Sequence, residues 1–477
     1  MGEQSLKDKT VKGVVWSGLE RFSVQGVSFL VMLVVARLLS PSDYGLVAML
    51  AIFLAVARTL IDSGFSQALI RKQDRTETDN NTVFYFNIVV SLLLYLLLFI
   101  IAPLVSDFYQ EPQLTLLMRV QCIVIIINSF AVVQRALLTA SINFKVQAQA
   151  SLISAIVSGG FAIYLASSGY GVWTLVFQQL LSAAVNVLLL WRLSSWRPKL
   201  MYSWQSFREL FSFGSKLMAV GLIDTIYNNL YQIIIGKIFS AASLGFYSRA
   251  FHFSELPSSN ITGILQRVTY PVLCNIQNDA ASLRNNYRKL LRVSAFVIFP
   301  IMCTMAGVAH PMVQLLIGEK WDYAATLLIP ICFAMMWYPI HAINLNLLQV
   351  KGRSDLFLKL EIIKKIIIVS VLIASIPFGL LFMCYSRIAT SVICLFINTY
   401  YTGKLIQIGF IQQMKDLAGT LVASLIVFTS VIFVISLVDN LILKLLAGLT
   451  LAVVIYMGIS FLFKYKEVEY LKSIIKK

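Results

Sequence analysis

The chain is poor in the residues that most enzyme chemistry uses. Of its 477 residues only 13% are charged, and three are histidines, none with a partner at metal-ligand spacing. The six cysteines (Cys122, Cys274, Cys303, Cys332, Cys384, Cys394) include no C-x-x-C pair and lie mostly within apolar runs. They are expected to be packing thiols, forming neither a disulfide framework nor a metal site. No P-loop, nucleophile–base set or paired-carboxylate site with an aqueous domain around it is visible. Outer loops are about a dozen residues at most, against the 2–8 usual between packed helices, which leaves no room for an external catalytic domain. The expectation is a protein that is not an enzyme and carries no cofactor and no metal.

What the chain has in abundance is apolar residues, at 58%. Runs near 20 residues recur from end to end, each able to cross a hydrocarbon core of roughly 30 Å as a helix. Spans are expected near 13–35, 45–65, 83–103, 116–138, 149–167 and 172–193, then 213–236, 244–270, 293–315, 326–348, 358–377, 380–402, 417–437 and 441–463. The fold class is all-α integral membrane protein, with about fourteen transmembrane helices. The start, "MGEQSLKDKTVKG", lacks a small-residue cleavage site, so the first run is expected to be a retained anchor.

A net charge of +17 might suggest nucleic acid, but its distribution says otherwise. With the N-terminus inside, the inner connections carry Lys7, Lys9 and Lys12, then Arg71, Lys72 and Arg75, then Arg192, Arg197, Lys199 and Arg208. Further along come Arg284, Arg288, Lys289 and Arg292, and a tail with Lys464, Lys466, Lys472, Lys476 and Lys477. The outer loops hold little beyond Arg37, Lys237 and Lys320. That is the positive-inside asymmetry, and it places both termini in the cytoplasm. The partner it implies is the lipid bilayer, not nucleic acid.

The chain also repeats itself. "ARLLSPSDYGLV" (36–47) lies over "GKIFSAASLGFY" (236–247), and "LLTASINFKVQAQASL" (137–152) lies over "LLQVKGRSDLFLKLEI" (347–362). Each corner joins the first and second spans of a group of six, and each later echo joins the fourth and fifth. Six is even, so the halves would be parallel repeats about an axis along the membrane normal, with a site between them. The lobes are expected at 1–206 and 207–404, followed by two additional lipid-facing helices and a basic tail over 405–477. The plainer reading is that any membrane-exit turn uses Ser, Pro and Gly.

Charges inside the spans are the candidate site. Ser17, Arg21, Gln25 and Ser28 form one polar stripe on the first span, and a buried arginine there costs about 2.5–3.5 kcal/mol on insertion scales. Either it faces a cavity or it cross-links helices. Arg58 stands four residues before Asp62 and is able to pair with it. Asp224, Asn228 and Tyr231 share a face of the seventh span, with Asp224 either a cation ligand or a structural hydrogen-bonding group. Arg249, His252 and Glu255 are three apart on the eighth, before Pro257, where a break is expected. Arg387 is a further cavity candidate. Lys359, Lys364 and Lys365 are placed at the cytoplasmic entrance of the eleventh span, either snorkelling to headgroups or forming a cationic mouth for phosphate.

"ARLLSPSDYGLVAM", "GFSQALIRK", "GYGVWTLV" and "GRSDLFLKLEIIKK", in that order, resemble the polysaccharide transporter family. These are the Wzx-type lipopolysaccharide and exopolysaccharide flippases of the multidrug/oligosaccharidyl-lipid/polysaccharide exporter superfamily. The resemblance runs from about Thr10 to Lys404, and more loosely beyond. It implies two six-helix lobes, a central cavity and alternating access in a bacterial inner membrane. The substrate it implies is an undecaprenyl-pyrophosphate-linked oligosaccharide, moved from the cytoplasmic to the periplasmic leaflet. Glycan polymerase machinery and a coupling cation, H+ or Na+, are the further partners. Arg21, Arg58 and Arg249 fit the family's cationic cavity, and the last two spans fit a groove for the polyprenyl tail. The second corner departs from the pattern, with Ala241 and Ser243 where the first has Pro41 and Asp43. Two alternatives stand beside this reading: a cation-coupled multidrug antiporter on the same fold, and an integral-membrane polysaccharide polymerase or ligase.

Overall fold

A computed structural model describes residues 2–62, 64–465 and 467–468; of residues 2–15, 17, 19, 62 and 268 it describes the backbone alone. Among the described residues the chain is helical throughout, with no strand. It divides into two compact units, Met1–Gly245 and Phe246–Lys477. The first holds α1 (Gly2–Leu38), α2 (Pro41–Asp62), α3 (Phe65–Arg71), α4 (Glu77–Tyr109), α5 (Gln113–Gln121), α6 (Ile123–Ser129), α7 (Val132–Ala140), α8 (Phe144–Ser167), α9 (Trp173–Leu193) and α10 (Trp204–Ile238). Helix α11 (Ala241–Asn275) runs from the end of the first unit into the second. There follow α12 (Ala280–Gly307), α13 (Ala309–Ile317), α14 (Asp322–Met335), α15 (Tyr338–Val350), α16 (Ser354–Ser375), α17 (Leu380–Ile406), α18 (Phe410–Ser436) and α19 (Leu441–Leu462).

Eleven of the described helical stretches are long and apolar enough to cross a membrane, and twelve if the bent pair Gln113–Ser129 and Val132–Ala140 counts as one span. The protein is a multi-pass membrane protein. The two expected spans that do not reach that apolarity, near 244–270 and 358–377, are nonetheless helices of 35 and 22 residues, α11 and α16. Helix α11 carries Arg249, His252, Glu255 and Arg267, and α16 carries Lys359, Glu361, Lys364 and Lys365.

Helix starts follow local chemistry. Thr76 and Asp79 form a reciprocal capping box at α4, and Asp279 and Asn440 cap α12 and α19 with their side chains. The expected fourth span is broken instead of straight, bending by 43° at residues 130–131. No proline stands there. The indole of Trp191 on α9 donates to the freed Phe130 carbonyl at 2.8 Å, so a tertiary partner satisfies the group that the break releases. The break expected at Pro257 is absent: α11 runs through it, and through Pro271, to Asn275.

In the first unit, Phe65, Leu69, Phe84, Val133 and Leu210 form a buried cluster. In the second, Phe296, Val427, Val431 and Tyr456 do so, with the Tyr456 hydroxyl donating to the Phe296 carbonyl at 2.8 Å. The last two helices are thereby seated on α12, while Phe433, Val453 and Val454 on their other faces stay exposed.

Candidate functional site

The doubled corner is an interlock. Ser40 and Asp43 cap α2 reciprocally: the Ser40 backbone N–H donates to Asp43 Oδ2 at 2.8 Å, and the Asp43 N–H donates to Ser40 Oγ at 3.2 Å. Ser240 and Ser243 repeat half of this at α11, with the Ser243 N–H donating to Ser240 Oγ at 3.1 Å. The two turns then pack on each other reciprocally. A Cβ on Gly45 would collide with the carbonyl of Ala241, and one on Gly245 with that of Pro41. Both pairings fall on the same offset, 41 with 241 and 45 with 245.

From that interlock α2 and α10 run antiparallel in contact. Met49 packs on Gly236, Thr59 and Thr225 hydroxyls meet at 2.9 Å, and Gly64 faces Gly214. A Cβ on Gly214 would stand 2.7 Å from the Gly64 carbonyl carbon, so small residues set this approach too. Beside Gly214, the Phe65 ring lies 5.9 Å from that of Phe207, and Arg71 sits 4.5 Å above the Phe213 ring. Lys72 bridges Glu209 of α10 at 3.0 Å and Asp79 of α4 at 3.1 Å. Partial burial works against the ammonium, but hydrogen bonds to Glu209 and Asp79 prevail and raise its pKa.

The candidate residues fall around these elements. Arg21 is exposed and Gln25 half-buried on α1, which packs along α8. The side chain of Ser17, which shares their stripe, lies outside the described residues. Glu20 turns to α8 instead of Arg21, accepting from Ser151 at 2.9 Å. Arg58 and Asp224 are exposed, and each is next in sequence to a member of the Thr59–Thr225 pair, so they stand at one level of the α2–α10 seam. Asn228 is exposed one turn further along α10. The Asp62 side chain, the expected partner of Arg58, lies outside the described residues, as do the side chains of Lys7, Lys9 and Lys12 and the tail lysines 466, 472, 476 and 477.

In the second unit Arg387 of α17 reaches α11. It donates to the Tyr247 hydroxyl, its guanidinium lies 5.1 Å over the Phe251 ring, and its charge acts on Glu255. Tyr247, Phe251 and Glu255 are four apart, one face of the helix. Arg249 and His252 are half-buried on α11. Lys365 is half-buried on α16, whereas Lys364 is buried and pairs with Glu361 at 2.5 Å. At the head of α16, bidentate hydrogen bonds from Arg353 push the Asp355 carboxyl down to about 2.

Two groups escape the reading of the sequence. Arg135 on α7 is held by Asn128 Oδ1 at 3.3 Å and Asn186 Oδ1 at 2.9 Å. It stands within the expected fourth span, and that charge alone was the signal. Arg288 pairs with Asp416 on α18 at 2.5 Å, a partner 128 residues away that no local pattern marks.

The arrangement offers guanidinium groups within membrane helices, at Arg21 and Arg58 in one unit and Arg249 and Arg387 in the other. Such groups recognise phosphate well, and no nucleophile–base pair stands among them. The sequence pattern of a family described as "Polysaccharide biosynthesis protein" matches residues 34–326. The lipopolysaccharide biosynthesis protein WzxC of Escherichia coli K12 is 25% identical over 376 residues, covering 77% of this chain and 75% of that one. The succinoglycan biosynthesis transport protein ExoT of Rhizobium meliloti 1021 is 26% identical over 321 residues, 67% of this chain and 65% of its own. Among solved structures, the lipid II flippase MurJ in an inward closed conformation superposes with a TM-score of 0.76 at 14% identity, covering 94% of this chain and 98% of that one. That likeness concerns the fold.

Proposed function

The chain belongs to the polysaccharide biosynthesis protein family, among its Wzx-type transporters, and from that premise we propose that it is a flippase for a lipid-linked oligosaccharide. The substrate is an undecaprenyl-pyrophosphate-linked repeat unit, carried from the cytoplasmic to the periplasmic leaflet of a bacterial inner membrane, with both termini cytoplasmic. A transporter need break no bond. Its task is to lower the cost of dehydrating a headgroup rich in hydroxyls and phosphate charge, several kcal/mol for each unsatisfied polar group.

The observation that carries this reading is the placement of cations on membrane helices. Arg21 and Arg58 are exposed on α1 and α2, and Arg387 is steered on α17 by Tyr247 and Phe251. Together with Gln25, Asp224, Asn228, Arg249 and His252 they line the headgroup path in this proposal, the arginines taking the pyrophosphate and the amides the sugars. A drug antiporter for cationic compounds would want acidic and aromatic groups in those places. The lobes are 1–206 and 207–404, and the interlocked corners close the periplasmic end between the first and second helices of each.

The test is the sidedness of the intermediate. Deleting the gene is expected to leave glycan assembly intact, to abolish surface polymer, and to trap completed lipid-linked units where a periplasmic probe cannot reach them. Periplasmic exposure of the trapped unit would overturn the flippase and favour a polymerase or ligase. Drug hypersensitivity with normal glycan would favour the antiporter.

A further inference from the structure

Lys364 lies ten residues beyond Ser354, the first residue of α16, and so about 15 Å along the helix, near its midpoint. It is 8% exposed, and its partner Glu361 forms the pair from one turn earlier on the same helix. Glu361 is the more open member, its side chain 28% exposed. Among the described residues, α16 packs chiefly on α15, α17 and the short turn Ile376–Phe378. The titratable groups they bring near the pair are His341 of α15 and Cys394 of α17, both within reach of the Lys364 charge; the turn brings none. On α16 itself, Lys365 is about 100° round the helix and Lys359 is exposed.

Both ring nitrogens of His341 are engaged, Nε2 with Ser391 Oγ at 3.0 Å and Nδ1 with Asn398 Nδ2 at 3.2 Å. An amide nitrogen donating to Nδ1 leaves the ring neutral, with its proton on Nε2. His341 therefore adds no second cation beside Lys364. The Oδ1 of Asn398, itself 1% exposed, has no hydrogen-bond partner among the described residues, so the surroundings are polar but not saturated.

An ion pair three residues apart on one helix ties no two helices together. Yet taking its charges from water costs several kcal/mol per ion before their attraction is counted. Stability alone gives little reason to place it at mid-helix. Resting on the flippase reading, we propose that Glu361 is a proton site linked to anion binding at Lys364. The substrate's pyrophosphate draws the Lys364 ammonium away, and the Glu361 carboxylate, left without its counter-charge and beside the negative charge of the phosphate, takes a proton from solvent. The carboxylate becomes a carboxylic acid, one proton enters with each headgroup, and no other bond changes. Glu361 stands in for phosphate while the site is empty.

The experiment uses the purified full chain in detergent, with farnesyl pyrophosphate as the probe and farnesol as the control. Binding is followed by calorimetry and proton uptake by an indicator dye in weak buffer. The wild type is expected to take up as much as one more proton per pyrophosphate bound than Glu361→Gln, while farnesol drives none. Lys364→Met is expected to bind about tenfold more weakly, without the extra proton. Equal uptake in wild type and Glu361→Gln would overturn the proposal. Should neither variant fold, the wild type alone decides between about pH 7.5 and 9, above the last phosphate ionisation near 6. A proton taken up on binding makes affinity fall as pH rises, by up to about tenfold per unit; a flat profile would overturn the linkage. Binding without linked protons sinks this proposal alone, whereas no binding of the pyrophosphate by the wild type sinks the flippase reading with it.

Discussion

Residues 137–144 and 347–354 fold into the same turn from different letters. In the first, Ser141, Ile142 and Asn143 donate their backbone N–H groups to Leu137, Thr139 and Leu138, at 2.9, 3.1 and 2.9 Å. In the second, Lys351, Gly352 and Arg353 donate to Leu347, Gln349 and Leu348, at 3.0, 2.9 and 2.8 Å. The central residue is left-handed in both, Ile142 at φ 57° and Gly352 at φ 67°. The corners behave likewise: α1 ends at Leu38 and α2 begins at Pro41, while α10 ends at Ile238 and α11 begins at Ala241. What the two copies share is backbone geometry. Where they differ, one pays in strain or in a weaker cap for what the other receives from its sequence.

The largest expected effect lies where the copies touch. Gly45→Ala and Gly245→Ala each press a methyl into the facing backbone carbonyl, with no flexible side chain able to yield. Each is expected to destabilise the protein by about 3 kcal/mol or more, the upper end for overpacking. Gly160→Ala in α8 is the control: a Cβ there meets nothing within 4 Å, so it should stabilise by about 0.5–1 kcal/mol. Denaturant unfolding in detergent would measure all three. Equal, small effects at Gly45 and Gly160 would break the interlock.

This contrast also marks how far the sequence is legible. The later turns share only a leucine pair, 137–138 with 347–348, whereas the corners announce themselves through Ser40 and Ser240 and through Gly45 and Gly245 at matching offsets, because tight turns depend on local chemistry. The broken fourth span does not, since its break is sustained by the Trp191 indole from another helix. Pro257 misleads in the other direction, since a single proline removes one backbone donor and a packed helix can continue past it. Among the charges, Arg21 and Arg58 are visible as intrusions in apolar runs. The inward pairing of Lys364 is not, because a lysine near the start of an apolar run looks the same whether it snorkels outward or pairs inward. Its burial and its contact with Glu361 decide that.

A middle-sized effect separates the two turns. Gly352→Ile writes the first turn's residue into the second. An added Cβ there meets nothing within 4 Å, so conformation is isolated from crowding. Placing a β-branched residue in the left-handed region should destabilise by about 1–2 kcal/mol. Ile142→Asn should move the other way by up to about 1 kcal/mol, because asparagine tolerates that conformation. Unfolding midpoints compared in one detergent would show opposite signs; the same sign for both would mean that side-chain packing, and not the shared backbone, governs the turn.

The smallest effect concerns the caps. Asp43 accepts from both the backbone N–H and the hydroxyl of Ser40, at 2.8 and 2.6 Å, while Ser243 accepts only from the Ser240 hydroxyl, at 3.0 Å. The carboxylate also sits in the first turn of α2, where the helix dipole favours negative charge. Asp43→Ser should therefore cost about 0.5–1 kcal/mol, and Ser243→Asp should return a similar amount at the other corner. The two differ in their salt response. Part of the Asp43 contribution is charge–dipole attraction and shrinks as ionic strength rises, whereas the hydroxyl cap of Ser243 carries no net charge and should be insensitive. Measuring both variants at low and high salt thus splits the cap into hydrogen bond and dipole. If Asp43→Ser costs the same at every ionic strength, the carboxylate acts through its hydrogen bonds alone, and the two corners differ by one acceptor rather than by a charge.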